Sequence, residues 1–372
     1  MDTAVQKRIV ISAVNIRKGG TLTVLRECLA YLSGRADLRV TAIVHKRSLC
    51  AFPGIEYIEI PWSIKGWSRR LWCEYVTLNR ISRRFPEPVD LWLSLHDTTP
   101  RVKARRQAVY CHTSFPFMKA TLRDFRMDYK IALFSKFTRF AYQVNVRRNA
   151  FLVVQQQWLR EALSRLIGYG KERIIVAPPS FRVPEPAGTP AESPVPLFLY
   201  PATPDCHKNF ETLCEASRLL ENAVGKGRFR TVLTLRGDEN RYARWLHGRF
   251  KDLSSVEFHG FMNREELSRY YGRAACLVFP SRIETWGLPI SEFKPTGKPM
   301  LLADLPYAHE TAGGSGQVAF FPPTDAQALA RGMAAVLDGA PAPFGPVPEV
   351  SPAAPYAPSW ESLFDLLLTP SV

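Results

Sequence analysis

From Arg8 to Val154 the chain alternates short apolar runs of strand length with longer stretches at helical spacing. RIVISAV (8–14), VTAIV (40–44), IEYIEI (55–60), LWLSL (91–95), AVYC (108–111) and FLVV (151–154) read as strands. Helical patterns begin at about Thr21, through LTVLRECLAYL, and recur near 68–84, 127–146 and 158–167. The rhythm stops at APPSFRVPEPAGTPAESPVP (177–196), which is rich in Pro, Ala and Glu and has no periodicity, so it reads as a linker. It then restarts. LFLY (197–200), TVLTL (231–235), VEFHG (256–260), CLVFP (276–280), MLLA (300–303) and VAFF (318–321) read as strands. Helices are predicted near 210–223, from about Arg264, near 289–294, and over 324–337 with Thr324 as N-cap.

Strands alternating with helices predict βαβ units and mostly parallel sheets covered on both faces. The predicted fold is α/β: two Rossmann-like doubly wound domains with an interdomain cleft. Residues 1–176 form the first domain, 177–196 the linker and 197–340 the second domain. Residues 341–372 are a Pro-rich segment followed by the helix SWESLFDLLL, whose apolar face suits packing back on the first domain. In such sheets ligands bind at the carboxyl ends of strands, near the point where strand order reverses. Residues at strand-to-loop junctions are therefore the first candidates for chemistry.

Composition narrows the classes. With 46% hydrophobic and 22% charged residues over 372 positions, the chain can bury ordinary globular cores. No apolar run approaches the ~18–20 residues of a membrane span, and MDTAVQKRIVISAV lacks the parts of a signal peptide, so a cytoplasmic protein is expected. Seven cysteines, scattered with no CxxC, argue for reduced core thiols. The seven histidines form no HxH or HExxH pattern, and neither a metal site nor a bound cofactor is expected. Charge is unevenly spread. Residues 1–180 hold 31 Lys+Arg against 13 Asp+Glu, a net of +18, while the remainder nets −3. The two halves should face different partners.

Among the junctions, SRIETWGLPISEF (281–293) follows a buried strand and places Glu284 in a loop and Glu292 on the next helical turn. Pro289 suits the start of a helix, and the backbone amides of Gly287 and Leu288, beside Trp286, would open it toward an anion. Ionised carboxylates accept hydrogen bonds only, so hydroxyls or cations are their natural targets. Spacing alone equally allows a helix cap and a surface acid. In YPATPDCHKNFETL (200–213), Lys208 lies between a strand end and a helix, where its charge can meet a leaving diphosphate. Arg236, in TLRGDEN, and Arg282 occupy comparable junctions. In the first half, Gly19 and Gly20 make a flexible strand-to-helix turn that is not GxGxxG, so nothing points to NAD. His112 follows the strand AVYC, and His96 and Asp97 follow LWLSL. A capping His and an Asx turn before Pro are the plain alternatives.

PSRIETWGLPISE followed by TGKPMLLADLPYAHETAGG resembles the E-x7-E region of retaining glycosyltransferases of the GT-B fold, and more narrowly glycosyltransferase family 4, which includes bacterial O-antigen and surface-polysaccharide enzymes. The resemblance is clearest over 197–337. It implies sugar transfer with retention from a nucleotide-sugar, without a metal. Glu284 would contact the transferred sugar, Glu292 the ribose and Lys208 the diphosphate. His112 would lie against the donor sugar, and Gly19 and Gly20 would sit on the acceptor side; Asp97, from its own junction, is a candidate to orient the acceptor hydroxyl. The family places an Arg several residues before this Lys. No Arg stands between Leu197 and Lys208 here, so Arg236 and Arg282 are the candidates to replace it.

Segments 61–84 and 127–148 mix aromatics with Lys and Arg at roughly helical spacing. They suit helices lying at an anionic membrane surface, or ordinary amphipathic helices with aromatics in the core. The resemblance implies a lipid-linked saccharide acceptor, and hence a peripheral position at the inner face of the cytoplasmic membrane. Two other readings stand beside it: a basic nucleic-acid-binding or nucleic-acid-modifying protein, which the junction motifs make the weaker one, and a catalytically silent scaffold on the same fold.

Overall fold

The computed structural model describes residues 6–179 and 195–369. The chain divides into two units. The first runs to Pro116, resumes at Phe137 through the seventh strand, and ends with the stretch from Pro352. The second takes Phe117–Lys136 and the chain from the eighth strand to Ser351.

Among the described residues the first unit holds a seven-stranded parallel sheet in the order β3-β2-β1-β4-β5-β6-β7. Its strands are β1 Lys7–Ala13, β2 Leu38–Val44, β3 Ile55–Glu59, β4 Leu91–Ser94, β5 Arg106–Tyr110, β6 Phe151–Val154 and β7 Ile174–Val176. Every residue of β1 after Lys7 is buried, as a strand covered on both faces requires. Alternation sends Ile9, Ile11 and Ala13 to one face, where they meet Leu22, Leu25 and Leu29 of helix Gly19–Ser33. Val10 and Val14 go to the other face, with Trp92, Cys73 and Leu78. The C-terminal helix Trp360–Leu368 adds Leu363, Phe364 and Leu367 to the first of these cores, capped by Ser359.

The second unit holds, among the described residues, a six-stranded parallel sheet in the order β10-β9-β8-β11-β12-β13. Its strands are β8 Leu197–Tyr200, β9 Arg230–Leu233, β10 Val256–Phe258, β11 Cys276–Phe279, β12 Met300–Ala303 and β13 Val318–Phe321. In each sheet the strand order reverses once, between β1 and β4 and between β8 and β11. Two doubly wound parallel sheets make the predicted fold class.

The sequence pattern and the structure differ in places. Strand β7 has three residues, too few to show a period. Helices Leu122–Met127, Arg241–Phe250 and Pro306–Ala312 were not predicted. The predicted helix 68–84 is present as Trp67–Trp72, a π-helical turn Cys73–Thr77 and Leu78–Ser82, which follow one another without a gap. The last helix of the second unit is Ala326–Leu337, capped not by Thr324 but by Asp325, whose carboxylate accepts from the Ala328 N–H at 2.8 Å. A carboxylate one residue nearer the helix outcompetes the hydroxyl. Most of the predicted linker, residues 180–194, lies outside the described residues.

Candidate functional site

In the second unit, β8 and β11 are neighbours, and the loops leaving their carboxyl ends carry Lys208 and Glu284. Lys208 Nζ lies 2.6 Å from Glu284 Oε1, with both side chains largely buried. Lys208 ends a one-turn 3-10 helix, Cys206–Lys208, followed by Asn209 in the left-handed region at φ +60°. Several bonds hold this turn. Tyr200 Oη donates to the Lys208 carbonyl at 2.6 Å, and Asn209 Nδ2 donates to the carbonyls of Pro280 (2.9 Å) and Pro323 (2.7 Å).

Glu284 precedes the short helix Leu288–Phe293. Its N-cap, Gly287, has φ +91°, and a Cβ there would meet Ile290 Cδ1 at 3.2 Å, with the rings of Phe279 and Tyr307 close behind. Only glycine fits this turn without strain. Leu288 opens the helix and Pro289 takes its second position, where no intrahelical N–H is lost. Trp286 is pinned by its Nε1, which donates to Ser291 Oγ at 2.9 Å, and by its carbonyl, which accepts from Thr311 Oγ1. Glu292 lies on the helix and accepts from Tyr271 Oη at 2.8 Å. Burial and this carboxylate together push the Tyr271 phenol well above its usual range, so Tyr271 remains a donor.

The two arginines sit differently. Arg236 stands after β9, exposed, with Asp238 at 3.6 Å. Arg282 turns inward. Its Nη1 donates to Asp124 Oδ2 at 3.0 Å, its Nη2 contacts Asp124 Oδ1, and Nη2 also donates to the Cys206 carbonyl at 3.1 Å. Arg282 and Asn209 also line a cavity of about 510 Å³ with Arg123, Glu211 and Trp245. Asp124 and Tyr271 were invisible to sequence reasoning. One lies in an unpredicted helix and the other is a helix-face tyrosine.

In the first unit, β4 and β5 are also neighbours, which brings Asp97 to His112. Asp97 Oδ1 accepts from the backbone N–H groups of His112 (2.5 Å) and Thr113 (3.0 Å) and from Tyr142 Oη (3.1 Å). Asp97 itself has φ +69°, an uncommon conformation held by these bonds. The His112 ring stacks on Tyr110, with centroids 4.6 Å apart. Both its ring nitrogens are buried and lack a hydrogen-bond partner among the described residues. Burial pulls its pKa down to about 4, against the attraction of Asp97, so the ring is neutral near pH 7. His96 is used internally: its Nε2 meets Ser12 Oγ and its Nδ1 meets Thr98 Oγ1, both at 3.0 Å. Thr98 Oγ1 in turn donates to the fully buried Glu74, which Arg70 Nε meets at 2.7 Å. Gly19, at φ +71°, and Gly20 open helix Gly19–Ser33 on an exposed turn. Among the described residues no three His, Cys, Asp or Glu side chains gather as a metal-holding group.

Residues 196–339 match the family model described as glycosyl transferases group 1. No curated protein sequence matches the chain. Solved structures share its architecture at low identity. WaaG, a glycosyltransferase involved in lipopolysaccharide biosynthesis, is 14% identical with TM-score 0.64, covering 89% of this chain and 90% of that one. Sucrose-phosphate synthase from Thermosynechococcus elongatus is 18% identical with TM-score 0.62, covering 91% of each chain. HepE of Anabaena, in complex with UDP and glucose, is 14% identical with TM-score 0.60, covering 90% of this chain and 89% of that one. The chain thus has the GT-B fold, and its second sheet lies within the stretch that matches the group 1 glycosyl transferase model.

Proposed function

We propose that this protein is a glycosyltransferase that moves a sugar, with retention of configuration, from a nucleotide-diphosphate sugar to a lipid-linked saccharide in bacterial surface-polysaccharide or O-antigen assembly. The carrying observation is the meeting of Lys208 and Glu284 at the β8/β11 reversal, inside the stretch that matches the glycosyl transferase model. The second unit takes the donor. Lys208 neutralises charge on the departing diphosphate, assisted by Arg236 and the backbone amides of Gly287 and Leu288 beside Trp286. Glu284 reads sugar hydroxyls and Glu292, oriented by Tyr271, accepts from the ribose. The neutral His112 ring of the first unit, with two unpartnered nitrogens, has a donor and an acceptor to offer a sugar hydroxyl. Glu284 is already engaged by a cation, which favours hydroxyl recognition over nucleophilic attack. The acceptor hydroxyl then adds to the anomeric carbon from the face the diphosphate leaves, as the bond from that carbon to the diphosphate oxygen breaks and the hydroxyl proton passes to the departing phosphate. Lys208 supplies the positive charge, so the reading requires no metal.

The acceptor side rests on helix Tyr129–Gln143. Tyr129, Leu133, Phe137, Phe140 and Val144 recur at spacings of 4, 4, 3 and 4, forming one stripe, and are 40–63% exposed. The opposite side of the helix buries Ser135, Thr138 and Tyr142. A helix with polar residues inward and an apolar stripe outward, flanked by Lys130, Lys136 and Arg139, suits an anionic membrane interface. No described helix is long and apolar enough to cross a membrane. We place the protein at the inner face of the cytoplasmic membrane, with nucleic acid the lesser partner.

The test is transfer from a panel of UDP-, GDP- and dTDP-sugars to lipid-linked acceptors, with the configuration of the product linkage read by NMR. One donor should be consumed with its anomeric configuration kept. Glu284→Gln should lower turnover by at least a hundredfold while nucleoside diphosphate binding persists. A chain that binds vesicles but neither binds nor consumes any donor would be a membrane scaffold instead.

A further inference from the structure

Arg282, from the neighbouring strand's loop, adds two bonds to the turn that carries Lys208. Arg282 donates its backbone N–H to the His207 carbonyl at 2.8 Å and its Nη2 to the Cys206 carbonyl at 3.1 Å. The guanidinium thus touches the turn that ends on Lys208. What holds it there is Asp124. This carboxylate is 1% exposed and faces the guanidinium with both oxygens. It comes from helix Leu122–Met127, far away in sequence but within the same unit. Its orientation is locked, because Oδ2 also accepts from the Thr121 N–H at 2.7 Å and from Thr121 Oγ1 at 2.8 Å in a reciprocal helix cap. Burial raises the cost of its charge, yet the bonds from Arg282 and Thr121 prevail and hold its pKa below the usual carboxylate range.

We infer that Asp124 is a positioning residue for the donor site: it holds Arg282 as a strut under the Cys206–Lys208 turn and keeps that cation off the donor phosphates. The inference rests on the donor-site reading above. It gives Arg282 an indirect role, since a guanidinium held by a locked carboxylate stays with the turn. A diphosphate gripped by both Lys208 and a freed Arg282 would bind tightly but leave slowly. Two charges buried together are tolerated, whereas removing one partner leaves the other uncompensated.

Asp124→Asn preserves shape and removes the charge. The experiment measures binding of UDP, GDP and dTDP by calorimetry, transfer kinetics, and thermal melting, for wild type, Asp124→Asn and the apolar pair Asp124→Leu/Arg282→Met. The inference expects Asp124→Asn to bind the nucleoside diphosphate at least threefold more tightly while kcat falls at least tenfold. The apolar pair, which lacks the freed cation, should return to within about twofold of wild-type diphosphate affinity. If Asp124→Asn is too unstable to assay, the apolar pair and Arg282→Met alone decide: both should bind diphosphate as wild type does and turn over more slowly. Affinity and kcat falling together in parallel with melting would reduce Asp124 to scaffold and overturn the inference. So would unchanged binding and turnover. A wild type that binds none of the three diphosphates overturns the donor-site reading, and this inference with it.

Discussion

Lys208 and Glu284 lie 76 positions apart and form a 2.6 Å pair. Neither residue type, nor the spacing of Glu284 to Glu292, requires that meeting. It follows from β8 lying beside β11. At this scale the sequence correctly marked the junctions but not the partners. Tyr271 as donor to Glu292 and Asp124 as partner of Arg282 have no local signature, because each is recruited from a different element. Asp97 is legible in part. Its place after a strand and before Thr-Thr-Pro marks a turn, but only the adjacency of β4 and β5 shows that it orients the backbone of His112. His112 yields a prediction in pH. Its folded pKa, about 4 through burial, lies below the ordinary value near 6.5. The neutral form is the one that folding favours, so the stability it contributes is complete above about pH 6.5 and is lost as pH falls toward 4. A shift of that size corresponds to about 3 kcal/mol. Denaturant titrations across this range should show a steep decline, and His112→Gln should flatten it measurably.

At the scale of elements, long periodic helices and continuous apolar strands were legible, since burial on one face or two leaves a period in the sequence. Helix Arg241–Phe250 was not, because Arg244 and Arg249 fall within a short buried stripe of Tyr242, Ala243, Leu246 and Phe250. Helix Tyr129–Gln143 poses the opposite problem. Its aromatics fit a core as well as a membrane by period alone, and only their exposure separates the two. Moving an aromatic side chain from water into an apolar phase gains about 1.5–3 kcal/mol at full burial, and less at an interface. Phe137→Ser with Phe140→Ser should therefore weaken binding to anionic vesicles by roughly tenfold or more, while the melting temperature stays within a few degrees of wild type. Sedimentation with phosphatidylglycerol vesicles measures it. Undiminished binding would remove this helix from the membrane surface.

At the scale of the whole molecule, the first unit is assembled from separated parts of the chain. Leu363, Phe364 and Leu367 are each at most 1% exposed in the core beneath helix Gly19–Ser33. Full burial of three such side chains is worth several kcal/mol, at about 1.5–3 kcal/mol each, a large part of the stability of an ordinary domain. Truncation after Ser351 should lower the unfolding free energy of the first unit by at least about 3 kcal/mol. Hydrogen exchange should quicken in β1 and β2 while β8 and β11 keep their protection. Equal loss of protection in both sheets would show that the helix does not act on the first unit's core alone.

By itself the sequence determined the repeated strand–helix rhythm, the class of fold and the glycine that turns at position 287, because burial on both faces of a strand and a left-handed backbone leave direct marks in residue choice. It also marked Lys208, Glu284 and His112 as junction residues and Glu292 as lying on the helix that follows. The tertiary structure alone decided which of these meet, which arginine is held by a buried carboxylate, and which aromatics face outward. Those outcomes depend on strand order and on contacts between residues far apart in the chain, and a local pattern carries neither.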